Sequence, residues 1–335
     1  MNNLLIKKLG ELLHNIHQQV SIIVHTHPDG DAIGSALGFQ AILKNIGFTR
    51  IHVLAPNAYP SFLHWMPGHE EVIIATEQPH EAEHVISQAD ILFCLDFNGF
   101  SRAEQLENHL LNSKAVKIMI DHHPQPEDGF DLVFSDTTAS STAEMVYEVL
   151  AATGMEDFIN LDAAQCLYAG IVTDTGSFSF SCNNPRTYEI TAELVRKGVD
   201  GAALQRLIYN TYSLNRMRLL GYSLAESLTV YHEHHAASIS LSKADLKRFN
   251  HRDGDTEGFV NYALSIKDIR LAALFIEKDD HTKVSLRSAG DLDVNVLARK
   301  YYKGGGHKNA SGGKSMMDME STLKQFESLL NKENI

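Results

Sequence analysis

Short apolar runs alternate with segments of helical spacing over the first half of the chain. VSIIVHT (20–26) is a β-branched run, and DAIGSALGFQAILKNIG after it has the spacing of a helix that stops at a glycine. RIHVLA (50–55), EEVIIAT (70–76), ADILFCLD (89–96) and AVKIMID (115–121) predict further strands, with helices near 79–88 and 102–112. These runs are apolar at successive positions, not alternate ones. That predicts strands buried on both faces, hence a parallel sheet with helices on each side. STAEMVYEVLAATG opens with Ser141 and Glu144 at capping-box spacing, and NLDAAQCLYAGIVTDTG (160–176) reads as a helix up to Gly176. Near the start, Leu5, Leu9, Leu12, Leu13 and Ile16 recur at helical spacing between charges, which predicts an amphipathic helix and not a signal peptide.

The pattern changes after about residue 185. Residues 185–225 read as helical, with a break near Gly198–Gly201. SLTVYH, AASISL, LAALFIE and KVSLRS then predict strands, and 256–267, 293–300 and 318–332 predict helices. The expected fold class is α/β, with a parallel-sheet domain over 1–190, a helical connection over 191–225 and a smaller α/β domain over 226–335. A length of 335 residues with 44% apolar content supports two such cores. No apolar run reaches the length of a membrane span. Cys94, Cys166 and Cys182 are odd in number and form no CxxC pair, which argues against a disulfide framework or a thiolate zinc site and for a reducing cytoplasm. The formal charge of −13 has the wrong sign for gripping long duplex nucleic acid. It leaves room for a short phosphorylated substrate held by a few local cations.

The candidate chemistry lies where the strands end. His25, His27, Asp29 and Asp31 follow the first run, Asp96 ends the fourth, and Asp121, His122 and His123 end the fifth. Asp174 closes an apolar helix. In an open parallel sheet, ligands bind beyond the carboxyl ends of the strands. Any one of these residues reads equally well as a turn or helix cap, Asp31 in particular. Four separate segments delivering carboxylates and imidazoles to one edge do not. Carboxylates gathered in a buried place repel one another unless cations neutralise them. A thiolate-free Asp/His set suits Mn²⁺ or a similar ion, and so many ligands suit two. Two ions clamp a phosphoryl group and activate water, so phosphoester hydrolysis is the expected reaction. With eighteen histidines in the chain, a lone His carries little information, and YHEHH (231–235) is read as a solvated hairpin.

An ordered motif set carries a resemblance: HTHPDGDAIGS (25–35), LDFNG (95–99), DHHPQP (121–126), ASSTAEMVY (139–147), GIVTDTGSF (170–178), SLRS (285–288) and GGGHKNASGG (304–313). In these the chain resembles the DHH phosphoesterases that carry a C-terminal DHHA1 domain, in the subgroup of nano-RNases and 3′-phosphoadenosine 5′-phosphate (pAp) phosphatases. The resemblance implies two Mn²⁺ ions in a cleft between the domains. It implies His25 and Asp29 on the first ion, Asp31 and His122 on the second, Asp96 bridging them and Asp174 completing the set. His123 would stand on the substrate side, with Asp121 orienting a histidine. The motif spacing selects His25, while a continued strand would point His25 and His27 the same way.

For the second domain the resemblance implies that Arg287, Ser288, Gly304, Gly305, Gly306 and His307 hold the substrate. Independently, consecutive glycines let backbone N–H groups converge on an anion, and Arg287 alternates with Leu286, so it leaves the core face. Lys303 stands where the family often has another glycine, which bears on substrate range. The expected partners are short oligonucleotides or nucleotide phosphates, with no long duplex and no membrane, and a homodimer is compatible with the reading. Hydrolysis of cyclic dinucleotides, of pyrophosphate or of polyphosphate stays open, as does a nucleotide-binding regulator. The complete acidic set speaks against the last.

Overall fold

The apolar runs of the first half become one six-stranded sheet with helices on both faces. In chain order the elements are α1 (Asn3–Leu13), β1 (Val20–Ile23), α2 (Gly30–Ile46), β2 (Ile51–Ala55), β3 (Ile73–Ile74), α3 (Pro79–Gln88), β4 (Ile91–Leu95), α4 (Glu107–Asn112), β5 (Val116–Asp121), β6 (Leu132–Ser135), α5 (Thr142–Thr153), α6 (Leu161–Asp174), α7 (Pro185–Arg196) and α8 (Gly201–Tyr209). The sheet runs β3-β2-β1-β4-β5-β6, parallel throughout. Successive side chains point to opposite faces. Val20, Ile22, Phe93, Leu95 and Ile120 pack with α1, α2, α5 and α6, whereas Ile23, Leu92 and Cys94 pack with α3 and α4. The short edge strand β6 lies in LVFS, a stretch too brief to stand out in the sequence pattern.

Chain order reverses direction in the sheet between β1 and β4, the position where open parallel sheets form a crevice. Ile23 pairs with Cys94, and Leu95 with Ile120, so the loops after β1, β4 and β5 leave the sheet at one level. Helices α2 and α6 touch nearly backbone to backbone. A Cβ at Gly34 would lie 2.6 Å from the Cys166 carbonyl oxygen, and one at Gly38 would lie 2.9 Å from the Leu167 side chain.

This computed structural model describes residues 3–252 and 254–333. The chain divides between Thr211 and Tyr212 into two units. The stretch expected to connect the domains is therefore shared: α7 and α8 belong to the first unit and α9 (Leu214–Ala225) to the second. The second unit continues with β7 (Leu228–Tyr231), β8 (Ala236–Leu241), α10 (Lys243–Arg248), α11 (Phe259–Leu264), β9 (Leu271–Glu277), β10 (Thr282–Ser288), α12 (Val294–Tyr301), β11 (Gly305–Gly306), β12 (Ala310–Ser315) and α13 (Met319–Lys332). Its sheet order is β11-β12-β10-β9-β8-β7, with only β8 and β9 parallel. Phe275, Leu286, Leu297 and Phe326 fill one side and Ile239, Phe259, Leu274 and Ile276 the other. The His232–His234 turn joins β7 to β8 as a hairpin.

Candidate metal centre

Three strand ends, one helix start and one helix end deliver the acidic set of the first unit to one place. Beyond β1 the chain leaves the extended conformation, and the two histidines part. His25 is buried. His27 adopts a left-handed backbone at φ 52° and its ring turns to Asn57, Nδ1 to Nδ2 2.7 Å. Of the two, His25 is the one that faces the carboxylates. Asp29 is the N-cap of α2: its Oδ1 accepts the N–H groups of Asp31 and Ala32. The cap role entertained for Asp31 thus falls to Asp29. Asp31 is buried within the first turn of α2 and accepts from another helix instead, the start of α5. Thr142 N–H donates to its Oδ2 at 2.6 Å and Ala143 N–H to its Oδ1 at 2.9 Å.

Asp96 follows β4 in a left-handed conformation, φ 66°, which non-glycine residues rarely adopt outside functional or turn positions. Its two oxygens face different neighbours. Oδ2 lies 3.4 Å from His25 Nε2, and Oδ1 lies 3.8 Å from His122 Nε2. His122 Nε2 also stands 3.9 Å from Asp31 Oδ2 and 3.5 Å from Asp174 Oδ2. His25, Asp29 and Asp96 therefore converge on one point and Asp31, Asp96 and His122 on another, sharing Asp96. Asp121 makes a 2.7 Å buried hydrogen bond from His123 Nδ1 to its Oδ1.

Three observations test whether this set fits divalent cations. These separations exceed ordinary hydrogen bonds, and donors sharing an ion at about 2.0–2.2 Å stand roughly 3–4 Å apart. His25 Nδ1 pairs with the Thr26 carbonyl at 2.8 Å and His122 Nδ1 with that of Ala139 at 3.2 Å, which turns each Nε2 lone pair toward the carboxylates. The buried Oδ2 of Asp121 has no hydrogen-bond partner among the described residues. Oxygen and imidazole donors without thiolate suit cations that prefer such ligands. The residues fit.

The electrostatics agree. Burial, then the charges of Asp96, Asp174 and Asp29, hold the Asp31 carboxyl well above the usual range. Burial raises Asp174 to about 6, against the opposing pull of His122 and with the support of Asp29 and Asp96. Burial disfavours the charged rings of His25 and His122, but the surrounding carboxylates outweigh it and raise both. For Asp121, burial is outweighed by the hydrogen bond and charge of His123, which lower it.

Sequence reasoning missed Thr142 and Ala143 as site residues, and of the capping box ahead of them only the Ser141 half is present. Ser141 Oγ caps α5 by accepting from Glu144 N–H, but the Glu144 carboxylate does not return to Ser141. It accepts from Ser140 N–H and Oγ and from Thr187 Oγ1. The signal was the motif ASSTAE itself, whose third hydroxyl had no capping duty to perform.

In the second unit, Arg287 lies in β10 opposite Ala310 and Ala272. Ser288 is buried, with its hydroxyl donating to the Leu292 carbonyl and accepting from Asn309 Nδ2. The glycine run is built into the sheet of this unit. Gly305 and Gly306 form β11 and pair with Gly312 and Ser311, and His307 N–H donates to the Ala310 carbonyl. Glycine is needed there for contact: a Cβ at Gly304 would lie 1.9 Å from the Gly312 carbonyl oxygen and one at Gly313 would lie 2.3 Å from that of Tyr302. Lys308 pairs with Asp291 at 3.1 Å.

Among known proteins, the family model described as DHH family, N-terminal domain, matches residues 19–171, and the one described as DHHA1 domain matches 239–332. The bifunctional oligoribonuclease and PAP phosphatase NrnA of Bacillus subtilis is 32% identical over 330 residues, 95% of this chain and 99% of that protein. Its namesake in Thermus thermophilus is 30% identical over 307 residues, 91% of this chain and 86% of the relative. The crystal structure of an exopolyphosphatase-related protein from Bacteroides fragilis is 39% identical and superposes with a TM-score of 0.93, covering 99% of this chain and 96% of that one. No helix among the described residues is long and apolar enough to cross a membrane.

Proposed function

Because this chain belongs to the DHH family and carries a DHHA1 domain, we propose that it is a metal-dependent phosphoesterase acting on short phosphorylated nucleotides: oligoribonucleotides of two to five residues, pApA, and the 3′-phosphate of pAp. The observation that carries the reading is Asp96, whose two oxygens face two different sets of donors. The near full-length likeness to proteins named as oligoribonucleases and PAP phosphatases supports the substrate class.

In this reading His25 and Asp29 hold one divalent ion, Asp31 and His122 the other, Asp96 joins them and Asp174 completes the set. Mn²⁺ suits the mixed oxygen and imidazole donors. When bound, the ions neutralise the carboxylates, polarise the phosphoryl oxygens and acidify water. Asp121 fixes the His123 ring through Nδ1, so Nε2 is the atom that exchanges a proton with the leaving oxygen. In the second unit Arg287, His307 and the backbone of Gly304, Gly305 and Gly306 serve the terminal phosphate, and Ser288 holds the turn beside them.

A second reading, hydrolysis of inorganic phosphoanhydrides, is favoured by the 39% identity to a protein named as exopolyphosphatase-related. Product analysis separates the two. With Mn²⁺ and equal concentrations of pAp, pApA, an RNA 5-mer and polyphosphate, the nucleotide reading expects adenosine monophosphate from the first two. Turnover of polyphosphate alone would replace it with the second.

A further inference from the structure

The start of α5 reaches two of the three carboxylates that face His122, Asp31 and Asp96, through one residue. Thr142 donates its backbone N–H to Asp31 Oδ2 at 2.6 Å and its hydroxyl to Asp96 Oδ1 at 2.8 Å. Its side chain is fully buried. Nothing in the helix requires that hydroxyl, because Ser141 already caps α5. The turn is also anchored from behind: Glu144 ties Ser140 to Thr187 of α7 by hydrogen bonds of 2.6 and 2.7 Å. The oxygen that Thr142 engages is the one 3.8 Å from His122 Nε2 and 3.7 Å from His123 Nδ1. The other, Oδ2, faces His25.

We infer that Thr142 is a positioning residue that aims Asp96 Oδ1 and Asp31 at one of two ions, the one held by the Asp31, Asp96 and His122 set, and leaves the His25, Asp29 and Asp96 set unaffected. A carboxylate with one lone pair engaged by a fixed donor presents the remaining lone pair in one direction, so the ion finds its ligands already oriented. The inference rests on the two-ion reading above.

The test is calorimetric titration of Mn²⁺ into the metal-stripped full chain. Wild type is expected to show two binding events. Thr142→Val, which keeps the shape and removes the hydroxyl, should weaken one of them by about 10–100-fold and leave the other unchanged. Thr142→Ser should restore both. In turnover assays Thr142→Val should need more Mn²⁺ for half-maximal rate, with KM for pAp unchanged at saturating metal. Two wild-type events and a Thr142→Val titration identical to them would overturn the role of Thr142 alone, as would equal weakening of both events. A single wild-type event would overturn the two-ion reading beneath it. If Thr142→Val gives no cooperative melt, Thr142→Ala, which also lacks the hydroxyl, is judged by the same titration.

Discussion

Asp96 carries the most at the scale of single residues. It follows a fully buried strand, takes a left-handed backbone and offers its two oxygens to two donor sets. Replacing it with Asn keeps the shape and the acceptor for Thr142 but removes one charge from a crowded group. Asp96→Asn is therefore expected to bring turnover to background, while the melting temperature of the metal-free protein stays at or above that of wild type. A thermal melt beside an activity assay checks both, and wild-type turnover would remove Asp96 from the reaction. Residue types at this scale were legible in the sequence: the carboxylates and imidazoles that the structure brings together stand at the strand and helix ends that the residue pattern predicts. The choice between His25 and His27 was not, because it turns on where β1 stops and on a positive φ at His27.

At the scale of elements, the glycines of α2 and α6 determine how closely Asp31 and Asp174 approach. A Cβ at Gly170 would stand 2.8 Å from Asp31 Oδ1 and one at Gly34 would stand 2.6 Å from a backbone oxygen. A backbone oxygen cannot rotate away as a side chain can. Gly34→Ala should thus destabilise the fold by about 1–3 kcal/mol, in spite of the better helix propensity of alanine. Gly10 in α1 is the control, since a Cβ there meets nothing within 4 Å. Gly10→Ala should stabilise by about 0.5–1 kcal/mol, and denaturant melts of the two variants should move in opposite directions. The repeat GDAIGSALG showed the glycine spacing plainly, yet spacing alone does not name the helix that packs on it. The glycine run of the second unit taught the same lesson in reverse. Its backbone freedom suggests an anion loop, and what its spacing did not show is the close approach of β11, β12 and the end of α12 that the missing side chains permit.

For the whole molecule, the acidic site sets how stability responds to pH and metal. Asp174 titrates near 6 in the fold against an ordinary value of 3.8, and Asp31, His25 and His122 are raised as well. A group with a raised folded-state pKa binds protons more tightly in the native state than in the unfolded one. Its contribution is full below the unfolded pKa and is lost as pH rises through the folded pKa. The metal-free protein should therefore melt at lower temperature as pH rises from about 4 through 6. Added Mn²⁺ should raise the melting temperature, and more so above pH 6, where it no longer competes with protons. A melting series with chelator and with Mn²⁺ across that range checks both signs, and a metal shift that shrank with rising pH would count against the site as the place of binding. The sequence by itself determined most of the strands and helices and the parallel first sheet, and it placed the acidic residues at element ends, because these follow from local periodicity; β6, β11 and β12 are too short or too glycine-rich to show in it. Tertiary structure alone decided that α5 starts against Asp31 and Asp96, that His25 turns inward, and that glycines let α2 and α6 touch. Those are contacts between residues far apart in the chain, and no local pattern encodes the distance between them.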